Sequence, residues 1–312
     1  MTELVRGLHN LRAHHRPCAA TIGSFDGVHR GHQAVISSLQ VAAAQQSLPA
    51  MLVTFEPQPR EYFHPASSPP RLTRLREKLQ ALSRYGVEWV LCLRFNAQLA
   101  SLTADEFVQQ ILVDGLGVRY LLVGDDFRFG KDRTGNFTLL QQAGGQYGFE
   151  VGAIDTFDIG DGRVSSTRVR DSLAAGDLEW TAELLGRPFT LCGRVAHGDK
   201  RGRTIGFPTA NIRLHRHRSP LSGVFAVHMS WPGARAYAGV ANVGKRPTVD
   251  GTWLQLEVHL FDFDRDIYGQ HVEVEFLHKL RDEQRFDSFD ALREQIQRDA
   301  VQARKVFADR RG

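Results

Sequence analysis

An apolar run, Ala19 to Ile22, leads into the glycine-rich turn Gly23-Ser24-Phe25-Asp26-Gly27-Val28-His29-Arg30-Gly31-His32, and a helical pattern follows from about His32 to Gln46. Strand, tight turn and helix in that order make half of a parallel crossover unit, because parallel strands need a long connection that returns over the sheet. The same alternation continues. Met51 to Phe55 is a compact apolar strand, and Leu72, Leu75, Leu79 and Leu82 recur at helical spacing ahead of Gly86. Trp89 to Leu93 is the next strand, and Thr103-x-x-Glu106 forms a capping box before Phe107, Val108, Ile111 and Leu112. Tyr120 to Val123, a helix over 136–147 and Val151 to Ile154 complete the series. The expected fold of this half is α/β, a doubly wound parallel sheet with helices on both faces. Ligands of such sheets bind beyond the carboxyl ends of the strands, where the 23–32 and 125–131 loops both fall.

The first loop has chemistry of its own. Glycines let backbone approach a ligand, and the first N–H groups of a helix favour anions. His29 and His32, three apart, share one side of the first turn and can donate to phosphate oxygens. Read from spacing alone, the loop is a phosphate site, half of a metal site, or a plain turn; no nearby His, Cys or carboxylate cluster completes a metal set. Asp26 either caps the helix or orients a histidine.

From about Gly186 the pattern changes to short, alternating runs such as Val224 to Met229 and Leu254 to Leu260, punctuated by Gly and Pro. That implies an antiparallel barrel or sandwich, closed by a helix carrying Phe289, Leu292 and Ile296. A helix over Asp171–Leu185 and the Gly186-Arg187-Pro188 turn set the boundary between domains 1–186 and 187–312. Residues 1–186 carry 18 Lys and Arg against 20 Asp and Glu, whereas residues 187–312 carry 21 against 15. A basic second half attracts polyanions, either nucleic acid or a nucleotide triphosphate. Lys200-Arg201-x-Arg203 lies among glycines and suits phosphate, while Arg213 to Arg218 reads as a solvated surface. No apolar run approaches a membrane span, and Met1 to Pro17 has no apolar signal core. Three scattered cysteines, Cys18, Cys92 and Cys192, suit a reducing cytoplasm and carry no metal-like spacing.

At this point the residues resemble a known family. Gly23-x-Phe25-Asp26-Gly27-Val28-His29-x-Gly31-His32 is similar to the nucleotide-binding signature of the HxGH nucleotidyltransferases. Phe55-Glu56-Pro57-Gln58-Pro59, Gly124-Asp125-Asp126-Phe127-Arg128-Phe129-Gly130-Lys131 and Ser165-Ser166-Thr167-Arg168-Val169-Arg170 continue the likeness. Gly206-Phe207-Pro208-Thr209-Ala210-Asn211 and the stretch from Gly239 to Thr248 extend it through the second half. Together they resemble the bacterial bifunctional riboflavin kinase/FMN adenylyltransferases, or FAD synthetases.

The resemblance implies two reactions: ATP-dependent phosphorylation of riboflavin to FMN, then adenylyl transfer from ATP to FMN, giving FAD and pyrophosphate. The expected partners are riboflavin, FMN, FAD and ATP, with no nucleic acid and no membrane. For adenylyl transfer it assigns the ATP phosphates to His29 and His32, lined by Gly23, Ser24 and Phe25. Asp126, Ser166, Thr167 and Arg168 join them, although Ser166 and Thr167 also fit helix capping. Phe127 and Phe129 lie in the loop the family uses near nucleotide and flavin, but their alternation equally fits core-facing strand residues, so they stay outside the catalytic set. Where the family often has Gly-Asp, this chain has Gly135-Asn136, which puts a metal role at 136 in doubt.

In the second half the resemblance assigns ATP binding to Gly198, Gly202, Arg203, Gly206, Thr209 and Asn211, in a stretch without the Gly-Lys-Ser/Thr of a P-loop. Thr209 and Asn211, two apart in extended chain, present neutral oxygens on one face and suit Mg²⁺. The resemblance places the base at Glu257; read alone, Glu257 is a solvent-face strand residue, with His259 on the same face. Arg281, Glu283 and Phe286 resemble the flavin-binding end.

Overall fold

The computed structural model describes residues 2–154, 156–197, 207–216, 218–248 and 251–309. Two compact units emerge, Met1–Pro69 with Thr73–Ser165, and Pro70–Leu72 with Ser166–Gly312.

The first unit is built on the parallel strands β1 (Glu3–Arg6), β2 (Cys18–Ile22), β3 (Ala50–Glu56), β4 (Trp89–Arg94), β5 (Val118–Gly124) and β6 (Glu150–Ile154). Their spatial order is β1-β4-β3-β2-β5-β6. The chain steps outward from β2 through β3 to β4, then returns to place β5 on the other side of β2. The strand order therefore reverses between β2 and β5, and sheets of this kind take their ligands beyond the carboxyl ends of the strands at such a reversal. β1 is an addition to the sequence expectation, too short to show a period.

Both faces of the sheet are covered, which is why its central strands are apolar on both sides. Cys18, Ala20 and Ile22 of β2, Met51, Val53 and Phe55 of β3, and Leu121 and Val123 of β5 pack on one face. They meet α5 (Ala104–Phe107), which continues as a π-helical segment (Val108–Leu116), and α6 (Phe137–Tyr147), after the short α4 (Ala97–Ser101). The alternate residues Leu52 and Val90 face α1 (Arg30–Gln45) and α3 (Leu75–Arg84), with the short α2 (Pro59–Phe63) between those helices in sequence. The Thr103 capping box forms: Thr103 Oγ1 accepts from Glu106 N–H at 3.2 Å, and Glu106 Oε2 from Thr103 N–H at 2.8 Å. Asn136 caps α6, its Oδ1 accepting from Leu139 N–H at 2.9 Å. A two-stranded ribbon, β7 (Asp158–Ile159) and β8 (Gly162–Arg163), completes this unit.

Two helical expectations are corrected. Leu72 precedes α3 and is buried in the second unit, so the buried stripe of α3 runs through Lys78, Ala81 and Leu82. The helix expected over Asp171–Leu185 is two, α7 (Ser166–Ala175) and α8 (Leu178–Leu185). Gly176, at φ 80°, turns the chain left-handed, and Asp177 restarts it by accepting Trp180 N–H at 2.9 Å.

In the second unit, β9 (Phe189–Ala196), β10 (Ala210–Arg213), β11 (Gly223–Ser230), β12 (Tyr237–Thr248), β13 (Gly251–Leu260) and β14 (His271–Arg281) close an antiparallel barrel in the order β10-β13-β12-β11-β14-β9. Its interior is filled by side chains, Phe225 standing edge-on to Phe276 at 5.3 Å. Outside, Ala226 and Leu277 meet Ala303 and Phe307 of α9 (Phe289–Asp309). The expected closing helix forms and starts at Phe289, which is exposed; its packed face is set by its last turns. Arg281 forks onto the buried Asp299 at 2.8 and 2.9 Å and ties α9 to the end of β14.

All three cysteines are free and buried, and burial pushes the Cys18 thiol up to about 12. Native protein at about pH 8 should therefore resist iodoacetamide at Cys18 until it is unfolded, since the thiolate is the nucleophile. Peptide mapping that finds Cys18 alkylated in the native state contradicts this burial.

Candidate active sites

The turn after β2 adopts backbone that its residues disfavour. Phe25 sits at φ 45° and Val28 at φ 46°, with Gly27 between them at 87°. Left-handed conformations cost non-glycine residues roughly 1–3 kcal/mol each. Burying the Phe25 and Val28 side chains, 3% and 0% exposed, returns about 1.5–3 kcal/mol apiece and offsets the strain. Hydrogen bonds then lock the shape. Buried Asp26 accepts from Thr73 N–H at 2.9 Å and from its hydroxyl at 3.2 Å, while Gly27 N–H donates to Thr73 Oγ1 at 3.0 Å. Asp26 therefore braces the turn. Lys78, 1% exposed, donates from Nζ to the Ser24 carbonyl at 2.6 Å and approaches Thr54 Oγ1 at 3.4 Å.

His29 itself is the N-cap of α1: its Nδ1 accepts from His32 N–H at 3.3 Å. An accepting Nδ1 puts the proton of the neutral ring on Nε2, so His29 presents a donor on its far side. The two imidazoles stack at 3.6 Å and 16°, and Phe25 packs on His32 at 5.0 Å. Removal from water, then the neighbouring His29, Lys78 and Arg163, hold His32 well below the usual imidazole range. Its Nδ1 is buried without a partner. Gly31 lets this turn close tightly: a Cβ there would stand 3.3 Å from the His29 ring and the Val164 carbonyl, so either neighbour would have to give way.

Asp126, on the loop after β5, pairs with Arg163 at 2.6 Å, and that hydrogen bond holds its carboxyl below the ordinary range. With both partners exposed, the pair adds little stability. Phe129 is buried against Phe107 at 5.3 Å, in keeping with its core-facing reading. Tyr62, Phe63 and Phe95 cluster at 5.3–5.6 Å where β3 and β4 end, with Tyr62 and Phe63 exposed. Ser166, Thr167 and Arg168 open α7 in the second unit, where Arg168 lies over the Trp180 ring at 5.4 Å.

On the barrel, β10 pairs with β13 so that Asn211 faces Glu257 across the ladder. Gln255 joins them, its Nε2 2.6 Å from Asn211 Oδ1 and 2.7 Å from Glu257 Oε1. Thr209 and Asn211 both line a cleft of about 350 Å³ that also reaches Asp264 and Tyr268. His259 Nδ1 donates to the Pro208 carbonyl at 2.9 Å, which anchors the chain entering Thr209. Gly198, Gly202, Arg203 and Gly206 lie outside the described residues. Arg281 is taken up by Asp299 and lies 5.8 Å from the Phe286 ring; Glu283 is exposed.

Sequence reading missed Lys78, Thr73, Arg163 and Gln255. Lys78 left a trace as a lysine on the apolar stripe of α3, and Gln255 as the residue two before Glu257 on the same strand face. Thr73 and Arg163 left none, since both meet their partners through tertiary contact.

A parallel α/β sheet with a strand-order reversal beside the stacked histidines, followed by a closed antiparallel barrel with an outer helix, is the fold expected for this two-reaction transferase family. Residues 11–168 match the FAD synthetase family model and residues 185–307 the riboflavin kinase model. The chain is 52% identical over 306 residues to the bifunctional riboflavin kinase/FMN adenylyltransferase of Escherichia coli (strain K12), covering 98% of each. It is 53% identical over 307 residues to the protein of that name from Pseudomonas fluorescens, again covering 98% of each. A solved structure described as a macrolide-efflux protein from Streptococcus pneumoniae superposes with a TM-score of 0.79 at 33% identity, over 96% of this chain and 97% of that one. Among the described residues no helix is long and apolar enough to cross a membrane. The chain belongs to the bifunctional riboflavin kinase/FMN adenylyltransferase family.

The lowered His32 pKa has a sign that can be measured. The unfolded chain binds a proton near its ordinary pKa of about 6.5 while the folded one does not, so His32 contributes stability above that value that fades as pH falls below it. The wild type should lose more stability than His32→Gln between about pH 7 and pH 5.5 in urea titrations. Equal losses would show that His32 titrates alike in both states.

Proposed function

We propose that the chain makes FMN and then FAD from riboflavin and two molecules of ATP, with adenylyl transfer assigned to residues 1–186 and the kinase to 187–312. One observation carries the first assignment: stacked His29 and His32 stand at the β2/β5 reversal, at the N-terminus of a 16-residue helix. An FMN phosphate oxygen attacks the α-phosphorus of ATP, the bond to the β-phosphate oxygen breaks, and pyrophosphate leaves. His29 Nε2–H, the His32 ring and the backbone of Gly23, Ser24 and Phe25 hold the phosphate oxygens and offset the charge that develops. A neutral His32 suits this work as a hydrogen-bond donor. Asp126, steadied by Arg163, lines the ATP site, and the motif assigns Ser166, Thr167 and Arg168 to the triphosphate. Exposed Tyr62 and Phe63 offer stacking surface for a planar flavin.

In the kinase reaction Glu257 accepts the 5′-hydroxyl proton of riboflavin as that oxygen takes the γ-phosphoryl group and ADP leaves. The neutral oxygens of Thr209 and Asn211 beside a carboxylate fit Mg²⁺, which would neutralise phosphate charge. Gly198, Gly202, Arg203 and Gly206 are assigned to ATP on their motif. At the flavin end, Glu283 and Phe286 are assigned contact, with Arg281 holding that end through Asp299. The free cysteines support a cytoplasmic setting.

Incubation with riboflavin, ATP and Mg²⁺, followed by separation of the flavins, tests the whole scheme: FAD is expected, and neither FMN nor FAD would sink it. His29→Ala should cut FAD formation by ~100-fold or more while FMN still accumulates. Glu257→Gln should do the converse, failing on riboflavin yet adenylylating supplied FMN. A fragment beginning near Arg187 should phosphorylate riboflavin without making FAD. A fragment from Ser166 should melt higher, because α8 packs on β9 and β14. Equal melting temperatures would remove any stabilising role for α7 and α8.

A further inference from the structure

Gln255 is a residue that the two reactions leave without a task, yet it touches two groups assigned to one of them. Its Nε2 is 2.7 Å from Glu257 Oε1 and 2.6 Å from Asn211 Oδ1. The chemistry of the groups orients all three. A carboxylate oxygen at that distance must accept, so the Gln255 atom facing it is the NH₂ nitrogen. That nitrogen has two hydrogens, and the second points to Asn211, so Asn211 turns its oxygen inward and its own NH₂ away. The backbone makes the triangle possible. Gln255 and Glu257, two apart on β13, share a strand face, and the β10–β13 register sets Asn211 directly opposite Glu257.

From this geometry we infer that Gln255 is a positioning residue for riboflavin phosphorylation, coupling the base Glu257 to the phosphate-side ligand Asn211 so that the two move as one unit. The inference rests on the kinase reading given above. The coupling answers a need of the reaction. The base must meet the riboflavin hydroxyl while Asn211 serves the phosphate end, and an in-line transfer tolerates little drift between the two. An amide fits the task better than a charged residue. It donates to both oxygens, adds no net charge beside the triphosphate, and leaves Asn211 Oδ1 its second lone pair for a cation.

Gln255→Met keeps length and bulk and removes both donated hydrogen bonds. It should lower kcat for riboflavin phosphorylation by ~10- to 100-fold. KM for riboflavin should stay within about twofold, because a positioning role belongs to the transition state. Calorimetric binding of Mg²⁺·ADP should weaken several-fold, a readout independent of turnover. Adenylylation of supplied FMN and the melting temperature should match the wild type. Gln255→Glu, which sets a second carboxylate against Glu257, should lose more kcat than Gln255→Met. Unchanged kcat and Mg²⁺·ADP binding in Gln255→Met would overturn the inference, as would parallel loss of both activities with a lowered melting temperature. Glu257→Gln assayed alongside separates the two claims. If it is inactive on riboflavin while Gln255→Met behaves as wild type, only the positioning role falls. If it phosphorylates riboflavin normally, the base assignment fails, and the role of Gln255 falls with it.

Discussion

The turn at Phe25 to Val28 is a conformation the chain would not hold by itself, and the first site depends on it. Two non-glycine residues lie in left-handed backbone there, one of them β-branched. What keeps them is surrounding structure: burial of both side chains, the two hydrogen bonds that Thr73 donates to Asp26, and the Lys78 ammonium under the Ser24 carbonyl. The turn aims the His29 ring back at the first free N–H groups of α1, and this sets which ring nitrogen carries the proton. Loop strain, cap and tautomer are therefore one arrangement, braced by Thr73 and Lys78.

The barrel site is organised differently. Strand register places Asn211, Gln255 and Glu257. An antiparallel pair fixes which residues stand opposite, and a slip of one residue would send Glu257 to the other face. His259, on the same face as Glu257, supports the same region by tying Pro208 to β13 and so acts on the chain leading to Thr209. Arg281 has a similar history: the flavin motif singles it out, and the fold gives its guanidinium to Asp299.

Much of this was legible in one dimension. The strand–turn–helix rhythm, the capping box at Thr103 and the switch to period-two runs after Gly186 are local patterns. Local hydrogen-bond geometry and burial periodicity leave such marks in any sequence. Less legible were elements whose cause is remote. β1 has four residues and one buried side chain, too few to show a period. The break at Gly176 divides an apolar stripe that looks continuous, and which turns of the closing helix pack, through Ala303 and Phe307, is set by the barrel surface.

By itself the sequence determined the two fold classes, the motif order, and the identity of His29, His32, Thr209, Asn211 and Glu257 as candidates, because motif residues are written contiguously. Only the tertiary structure decided how they are held: Thr73 and Lys78 come to the first turn from α3 and the segment before it, Arg163 comes to Asp126 from a distant ribbon, and Gln255 spans two strands. These contacts join residues tens of positions apart. A linear reading contains no distance between such residues until folding brings their backbones together, and side-chain bonds of 2.6 to 3.4 Å are then possible.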